Sequence, residues 1–120
     1  MKEVEGTYKV ELLGMYGWET FSTAFIQDGE FRSASDKHFT VGSYAVEDGV
    51  FSMIANMTQH ENNQSLFGRN NIKGLPIKFN ARIRDSVIDG EARVEDGSRH
   101  SLRFRLNRLP FLNQDSAISK

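Results

Sequence analysis

The chain has 120 residues, of which 38% are hydrophobic and 26% are charged, as expected for one globular domain. Fifteen Lys and Arg residues against 16 Asp and Glu residues give a net charge of −1, so no overall field attracts nucleic acid or anionic lipid. Cysteine is absent, which excludes disulfides and thiolate chemistry and favours a reducing compartment. The first residues lack the apolar block of a signal peptide, and no apolar run could span a bilayer, so we expect a cytoplasmic protein without membrane contact.

Apolar and polar residues alternate along most of the chain, and this period of two predicts strands with one buried face. In IKFNARIR (77–84), the apolar residues fall on one face and the Lys, Asn and Arg residues on the other. TYKVELL (7–13), VFSMIANMTQH (50–60) and HSLRFRLN (100–107) show the same pattern. We therefore predict eight strands, at 6–14, 18–27, 30–35, 38–47, 50–60, 75–84, 86–95 and 98–109.

Four Asp-Gly pairs, at 28–29, 48–49, 89–90 and 96–97, punctuate these runs. Asp-Gly favours two-residue hairpin turns, because both turn positions need a positive φ. The pair at 89–90 differs from the others, because the alternation continues through it. We place that pair inside a strand and the preceding turn at Asp85-Ser86. Gly90 then faces inward without a side chain, which indicates a bulge or room for a bulky residue opposite.

An eight-stranded antiparallel meander closes most simply as an up-and-down barrel, because closure removes the exposed edges. We predict an all-β fold, with one barrel domain at 1–109 and a frayed tail at 110–120. The interior is either filled by side chains or holds one small ligand, and Met53 and Met57 would suit both a plain core and an adaptable pocket. The side chains that we expect to line the interior are Tyr8, Val10, Leu12, Phe51, Met53, Met57, Phe79, Ile83, Gly90, Leu102 and Phe104.

Strands two to four carry apolar residues on both faces, so the face turned away from the core needs another cover. In strand four, for example, Phe39 and Val41 alternate with Tyr44 and Val46. We expect a second copy of the chain to cover this outer face, with Ile26, Tyr44 and Val46 at the dimer interface. Scattered surface hydrophobes are the alternative explanation, because they are common in monomeric proteins.

Residues with catalytic or metal-binding chemistry are few and dispersed. His38, His60 and His100 lie on separate predicted strands or their ends without metal-ligand spacing, so we predict no metal site. The run DGSRHS (96–101) brings Asp, Ser and His together in sequence but not in the geometry of a triad. The Arg residues on the outer faces of strands six and eight lack interleaved aromatics, so we expect no nucleic-acid binding. We expect a non-enzymatic protein without a cofactor.

The stretch DGEFRSASDKHFTVGSYAVEDGVF (28–51) combines an Asp-Gly turn, a short strand that ends in small residues and Asp36, the strand VGSY and a second acidic turn. Together with GTYKVEL near the start, Phe67-Gly68 in the long loop, VIDGEARV and the closing LRFRLNRL, it resembles the GrlR-like family of negative regulators of type III secretion. The resemblance implies a calycin-like eight-stranded barrel, a homodimer with a hydrophobic cavity, and a transcriptional activator as the bound partner.

The resemblance also suggests which residues contact the partner. In the type member of that family a surface Glu-Asp-Glu-Asp run lies on the loop after the fourth strand. Here only Glu47 and Asp48 correspond to it, because the second Glu is missing and Gly49 stands at the position of the last Asp. Glu47 and Asp48 are therefore the candidate partner contacts, whereas we expect the carboxylate of Asp36 to bond the backbone of its own turn. Two functions stay open: a protein-binding regulator, or a barrel that carries or senses a small apolar molecule.

Overall fold

Eight antiparallel strands form a closed barrel in the computed structural model, which describes residues 4–60, 66–67, 69, 72–95 and 100–110. Each strand pairs with the next one in sequence and the last returns to the first, so the predicted all-β barrel is confirmed. Within the barrel, the bounds of the strands are β1 (Gly6–Gly14), β2 (Gly17–Gln27), β3 (Glu30–Ala34), β4 (His38–Glu47), β5 (Val50–Gln59), β6 (Leu75–Arg84), β7 (Val87–Val94) and β8 (Ser101–Arg108).

The tight turns follow the predicted chemistry. Asp28 and Asp48 take φ values of 51° and 54°, and the glycines that follow them take 81° and 76°. These are the positive φ values that a two-residue hairpin turn requires. Asp85 also takes a positive φ, of 54°, in the turn between β6 and β7. The predicted turn at 96–97 and the predicted tail beyond residue 110 lie outside the described residues.

The seam between β1 and β8 closes the barrel. Five pairs join these strands, from Tyr8 opposite Arg108 to Leu12 opposite Phe104. On the outer side of the seam, Oε1 of Glu11 accepts hydrogen bonds from Nε of Arg105 at 2.6 Å and from the side-chain amide of Asn107 at 2.8 Å. The hydrogen bond from Arg105 is the main reason that the pKa of Glu11 is lowered. One carboxylate therefore ties two residues of β8 to β1.

The core fills the barrel and is completed from both ends of the strands. At the end where β1 begins, the hydroxyl of Tyr8 donates a hydrogen bond of 2.7 Å to the carbonyl of Val4, which is 1% exposed. Burial raises the pKa of that Tyr8 hydroxyl, which therefore stays a donor at neutral pH. At the opposite end, the link between β5 and β6 buries Leu66, Phe67 and Ile72. The long link, which we predict as irregular, therefore contributes to the core.

Side chains at the end of β5 hold this link in place. The backbone N–H of Ile72 donates to Oε1 of Gln59 at 2.9 Å, and the N–H of Gln59 donates to the carbonyl of Ile72 at 2.8 Å. The N–H of Gly74 donates to the hydroxyl of Thr58, also at 2.9 Å. These bonds satisfy backbone groups that the irregular link cannot place in a strand ladder.

Gly90 lies inside β7, as predicted, and faces the barrel interior. Its pairing with Ala81 of β6 and with Phe104 of β8 is continuous, so the strand contains no bulge at this point. A Cβ added to Gly90 would lie 2.5 Å from the Cα of Ala81 and would also overlap the carbonyl oxygen of Asn80. Glycine therefore permits a close approach between the two strands.

Replacing Gly90 by alanine should destabilise the barrel. The added methyl group meets the backbone of β6, which cannot move aside as a side chain end could, so we expect a loss of about 1–3 kcal/mol in the free energy of unfolding. Urea unfolding measures this loss. Gly14→Ala is the matched control, because the nearest atom there is the flexible carboxylate end of Glu19. Equal stability of the two variants would contradict the close approach at Gly90.

Candidate functional site

A small cavity lies at the centre of the barrel. Of the residues predicted to line the interior, Val10, Met53, Met57, Phe79 and Phe104 border this cavity. The remaining predicted lining residues also face the core but pack away from the cavity; they are Tyr8, Leu12, Phe51, Ile83, Gly90 and Leu102. The predicted inward faces of β1, β5, β6, β7 and β8 are therefore consistent with the structure.

Three hydroxyl groups interrupt the otherwise apolar wall of the cavity. Ser33 and Thr40 are direct cross-strand partners on β3 and β4, and Ser22 lies on β2. Ser22 is 5% exposed, and its Oγ has no hydrogen-bond partner among the residues that the structure describes. A buried hydroxyl without a partner is unfavourable unless something else bonds it. Sequence analysis missed this group, although Ser33 and Thr40 stand at alternating inward positions.

The cavity is much smaller than a typical ligand site. Its volume is about 30 Å³. This space accommodates a water molecule, whereas pockets for organic ligands usually measure about 300–1,000 Å³. As described, the barrel therefore belongs to the type whose interior is filled by side chains. Only a rearrangement of its lining would make room for a larger molecule.

Four large apolar side chains are exposed on the outer face of β2, β4 and β5. They form what we call the outer apolar cluster: Phe25, Phe39, Val41 and Ile54, with exposed fractions of 54%, 37%, 44% and 59%. Arg32 of β3 lies between two of them, because it pairs with Phe25 on one side and with Val41 on the other. Apolar side chains around one arginine resemble the composition of protein interfaces more than that of an ordinary surface.

The predicted dimer residues lie on the opposite face, which is a correction to the sequence analysis. Ile26 is 1% exposed and Tyr44 is 6% exposed, and Val46 is partly buried against the core. The reason is the register of the β4–β5 hairpin, in which Tyr44 pairs with Met53 and Val46 with Phe51. Cross-strand partners share a face, so the inward side chains of β5 fix those of β4. The residues predicted for the interface therefore face the interior.

A bulge reverses the faces of β2. The register with β1 shifts between Val10 and Glu11, so Phe21 has no cross-strand partner and both Phe21 and Ser22 are buried. Beyond this bulge the alternation continues with opposite parity. Strict alternation would place Phe25 on the same face as Phe21. Because of the bulge it points outward instead, so one inserted residue moves a whole strand segment to the other face.

Ser35 and His38 form a close pair of a hydroxyl and an imidazole at the turn between β3 and β4. Oγ of Ser35 lies 3.0 Å from Nδ1 of His38 and accepts backbone N–H bonds from Lys37 at 3.1 Å and from His38 at 3.3 Å. The hydroxyl thus caps the turn between β3 and β4, the role predicted for the carboxylate of Asp36. No group of three or more His, Asp or Glu side chains is arranged to hold a metal ion in the part of the chain that the structure describes.

The candidate partner contacts lie at the turn between β4 and β5. Glu47 and Asp48 are both exposed there, so each is accessible to another protein. Asp48 takes a φ of 54°, which explains an Asp at this position by turn geometry alone. The structure thus leaves the role of Glu47 and Asp48 in partner binding as a prediction.

Comparison with known proteins adds no family to this description. No protein-family model matches the chain, and neither a curated protein nor a solved structure matches it significantly. In the described ranges, no helix is long and apolar enough to cross a membrane.

The Ser22 hydroxyl gives a direct test of what the cavity contains. If nothing bonds it, Ser22→Ala removes a buried group without a partner and should raise the free energy of unfolding by about 1 kcal/mol in a urea titration. Ser43→Ala, at an exposed position of β4, is the control and should change stability little. A Ser22→Ala variant less stable than the wild type would contradict an empty cavity, because it would mean that water or a ligand bonds the hydroxyl.

Proposed function

We propose that this barrel is a non-enzymatic regulatory protein that acts by binding other proteins and that forms a homodimer. The observation that carries the proposal is the outer apolar cluster, since four large apolar side chains on one sheet face are unfavourable in water and favourable in an interface. The small volume of the cavity also supports a protein-binding function, because a filled barrel offers its outer surface for recognition and not its interior.

A second copy of the chain suits this face because the charges around the cluster are self-complementary. Nη2 of Arg32 lies 3.4 Å from Oε1 of Glu30, and both side chains are more than 60% exposed. In a two-fold interface the same patch contacts itself, so Arg32 of one copy can meet the Glu30 of the other copy. Burial between two copies would therefore bring opposite charges together beside the apolar contacts.

The resemblance of residues 28–51 to GrlR-like regulators supports a further partner, such as a transcriptional activator. Glu47 and Asp48 are the proposed contacts for a basic patch on that partner. They lie at the turn that joins β4 to β5, the strands that carry Val41 and Ile54, so the acidic turn and the apolar cluster belong to one wall of the barrel. The proposed location is the cytoplasm, which the absence of cysteine favours.

A second candidate function is the binding of a small apolar molecule with one polar group. It is favoured by the Ser22 hydroxyl, which faces the cavity without a partner among the described atoms. Met53 and Met57 line the same cavity, and their flexible side chains could move to enlarge it. The Ser22→Ala measurement tests this candidate in one direction. A variant more stable than the wild type would exclude it, because a bound molecule that bonds the hydroxyl would make Ser22 stabilising.

The dimer is tested by placing a charge in the outer apolar cluster. The wild type should sediment as a dimer at micromolar concentration, and Ile54→Glu and Val41→Glu should sediment as monomers, because burial of an unpaired carboxylate opposes association. Ser86→Glu, in the exposed turn between β6 and β7, is the control and should stay dimeric. Analytical ultracentrifugation distinguishes these states, and a monomeric wild type would exclude the proposed dimer.

The acidic turn is tested with the double variant Glu47→Gln/Asp48→Asn. Binding to a partner isolated by pull-down should weaken mainly through a lower association rate, most strongly at low salt, as is usual for exposed charges at the rim of an interface. Folding should be unaffected, because Asn tolerates the positive φ of Asp48 and Gly49 is kept. Stopped-flow association kinetics measure the effect. Unchanged association rates at low salt would mean that Glu47 and Asp48 form the turn but do not contact the partner.

A further inference from the structure

Three hydroxyl residues stand at inward positions of β2, β3 and β4, where most of the inner wall is apolar. Ser33 and Thr40 are cross-strand partners, and Ser22 borders the same cavity from β2. All three are buried, with exposed fractions of 5% for Ser22, 6% for Ser33 and 4% for Thr40. Alanine or valine would serve packing at each of these positions and would leave no hydroxyl to satisfy. Three hydroxyls around one space therefore indicate that something polar occupies it.

Ser22 lies where the pairing of β2 with β3 has ended. The ladder between these two strands begins with Thr23 opposite Ala34, so it does not reach Ser22. On its other side Ser22 pairs with Val10 of β1, directly beside the bulge. At this level of the barrel, β2 is therefore not joined to β3 by backbone hydrogen bonds of the ladder. A molecule that bonds both Ser22 and the hydroxyls of β3 and β4 would bridge this gap.

The volume and the polar lining of the cavity fit a single water molecule. The space of about 30 Å³ is sufficient for one water and far below the volume of a pocket for an organic ligand. A buried water typically makes about three hydrogen bonds, and three hydroxyls border this space. A hydroxyl has one donor and two acceptor sites, so Ser33 and Thr40 can bond a water whatever other contacts they make. Oγ of Ser22 has no partner among the described residues, and a water would supply one.

We propose that Ser22, Ser33 and Thr40 form a binding site for one resident water molecule, which hydrogen-bonds the three hydroxyls and links β2 to the β3–β4 pair. The site accounts for the serine that follows Phe21 at the bulge. The bulge leaves both Phe21 and Ser22 buried, and the second of these side chains then meets a polar partner. This inference goes beyond the proposed function, because it holds whether or not the outer wall binds a second copy.

The water also supports the wall that carries the outer apolar cluster. Phe25 of the cluster lies on β2, whereas Phe39 and Val41 lie on β4, with β3 between them. Only five pairs, from Thr23–Ala34 to Gln27–Glu30, join β2 to β3. A water bonded to hydroxyls of β2, β3 and β4 adds a link at the end where this short ladder stops. Loss of the water should therefore loosen β2 against β3 before it affects the longer ladders.

The experiment counts long-lived waters in the full chain. Oxygen-17 relaxation dispersion of the solvent reports water molecules that stay in a protein long enough to tumble with it. It is measured for the wild type, for Ser22→Ala/Thr40→Val and for Thr23→Val, all at one protein concentration. The double variant removes two of the three hydroxyls with little change in volume, and cavities lined by apolar groups stay dry. Thr23→Val is the matched control, because Thr23 lies on the same strand as Ser22 with its side chain exposed.

The double variant should lose the dispersion of one water relative to the wild type, whereas Thr23→Val should keep it. Ser22→Ala alone should unfold at a lower urea concentration than the wild type, opposite to the change expected if nothing bonds the hydroxyl. Equal dispersion in the wild type and the double variant would overturn the water site, and so would a Ser22→Ala variant more stable than the wild type, even if the double variant does not fold. An organic molecule bound to the wild type in native mass spectrometry, but not to the double variant, would overturn the water in favour of the second candidate function.

Discussion

The barrel depends on the pairing of β1 with β8, which joins the two ends of the sheet. Without this seam both strands would expose a row of backbone donors and acceptors, and the apolar interior would face water. The carboxylate of Glu11 reinforces the seam from outside through Arg105 and Asn107. Val4 and the link that carries Phe67 complete the core from opposite ends. Closure thus decides which side chains lie inside and which are left for recognition.

The interior is filled in this structure, so the protein-binding surfaces that we propose lie outside it. The cavity of about 30 Å³ leaves little room for a ligand, whereas two groups of large apolar side chains face solvent. The outer apolar cluster has Arg32 between Phe25 and Val41, and we propose it for a symmetric contact. The second group, Met15 and Tyr16, lies at the apex between β1 and β2.

The strands could be predicted from sequence because both period-two alternation and Asp-Gly turns are local signals. The same alternation places even the unusual pair Asp89-Gly90 inside its strand, where the structure has it. The prediction that Tyr44 and Val46 of β4 face outward was wrong. The turn at Asp48-Gly49 fixes the pairing of Tyr44 with Met53, and this register could have corrected the prediction. The bulge at Phe21 has no comparable sequence signal, since it depends on how β1 and β2 coil around the core. The exposure of Met15 and Tyr16, at the apex between β1 and β2, likewise depends on where the neighbouring ladders end.

The central claim is that the outer wall of β2–β5, and not the interior, is the surface that this barrel uses. NMR with a soluble paramagnetic agent tests it directly, because signal loss reports which methyl groups solvent can reach. The methyl groups of Val41 and Ile54 should lose signal in dilute protein and become protected as the concentration rises, whereas those of Met53 and Met57 should be protected throughout. If the methyl groups of Val41 and Ile54 stay accessible at every concentration, and those of Met53 and Met57 are reached by the agent, the account is contradicted.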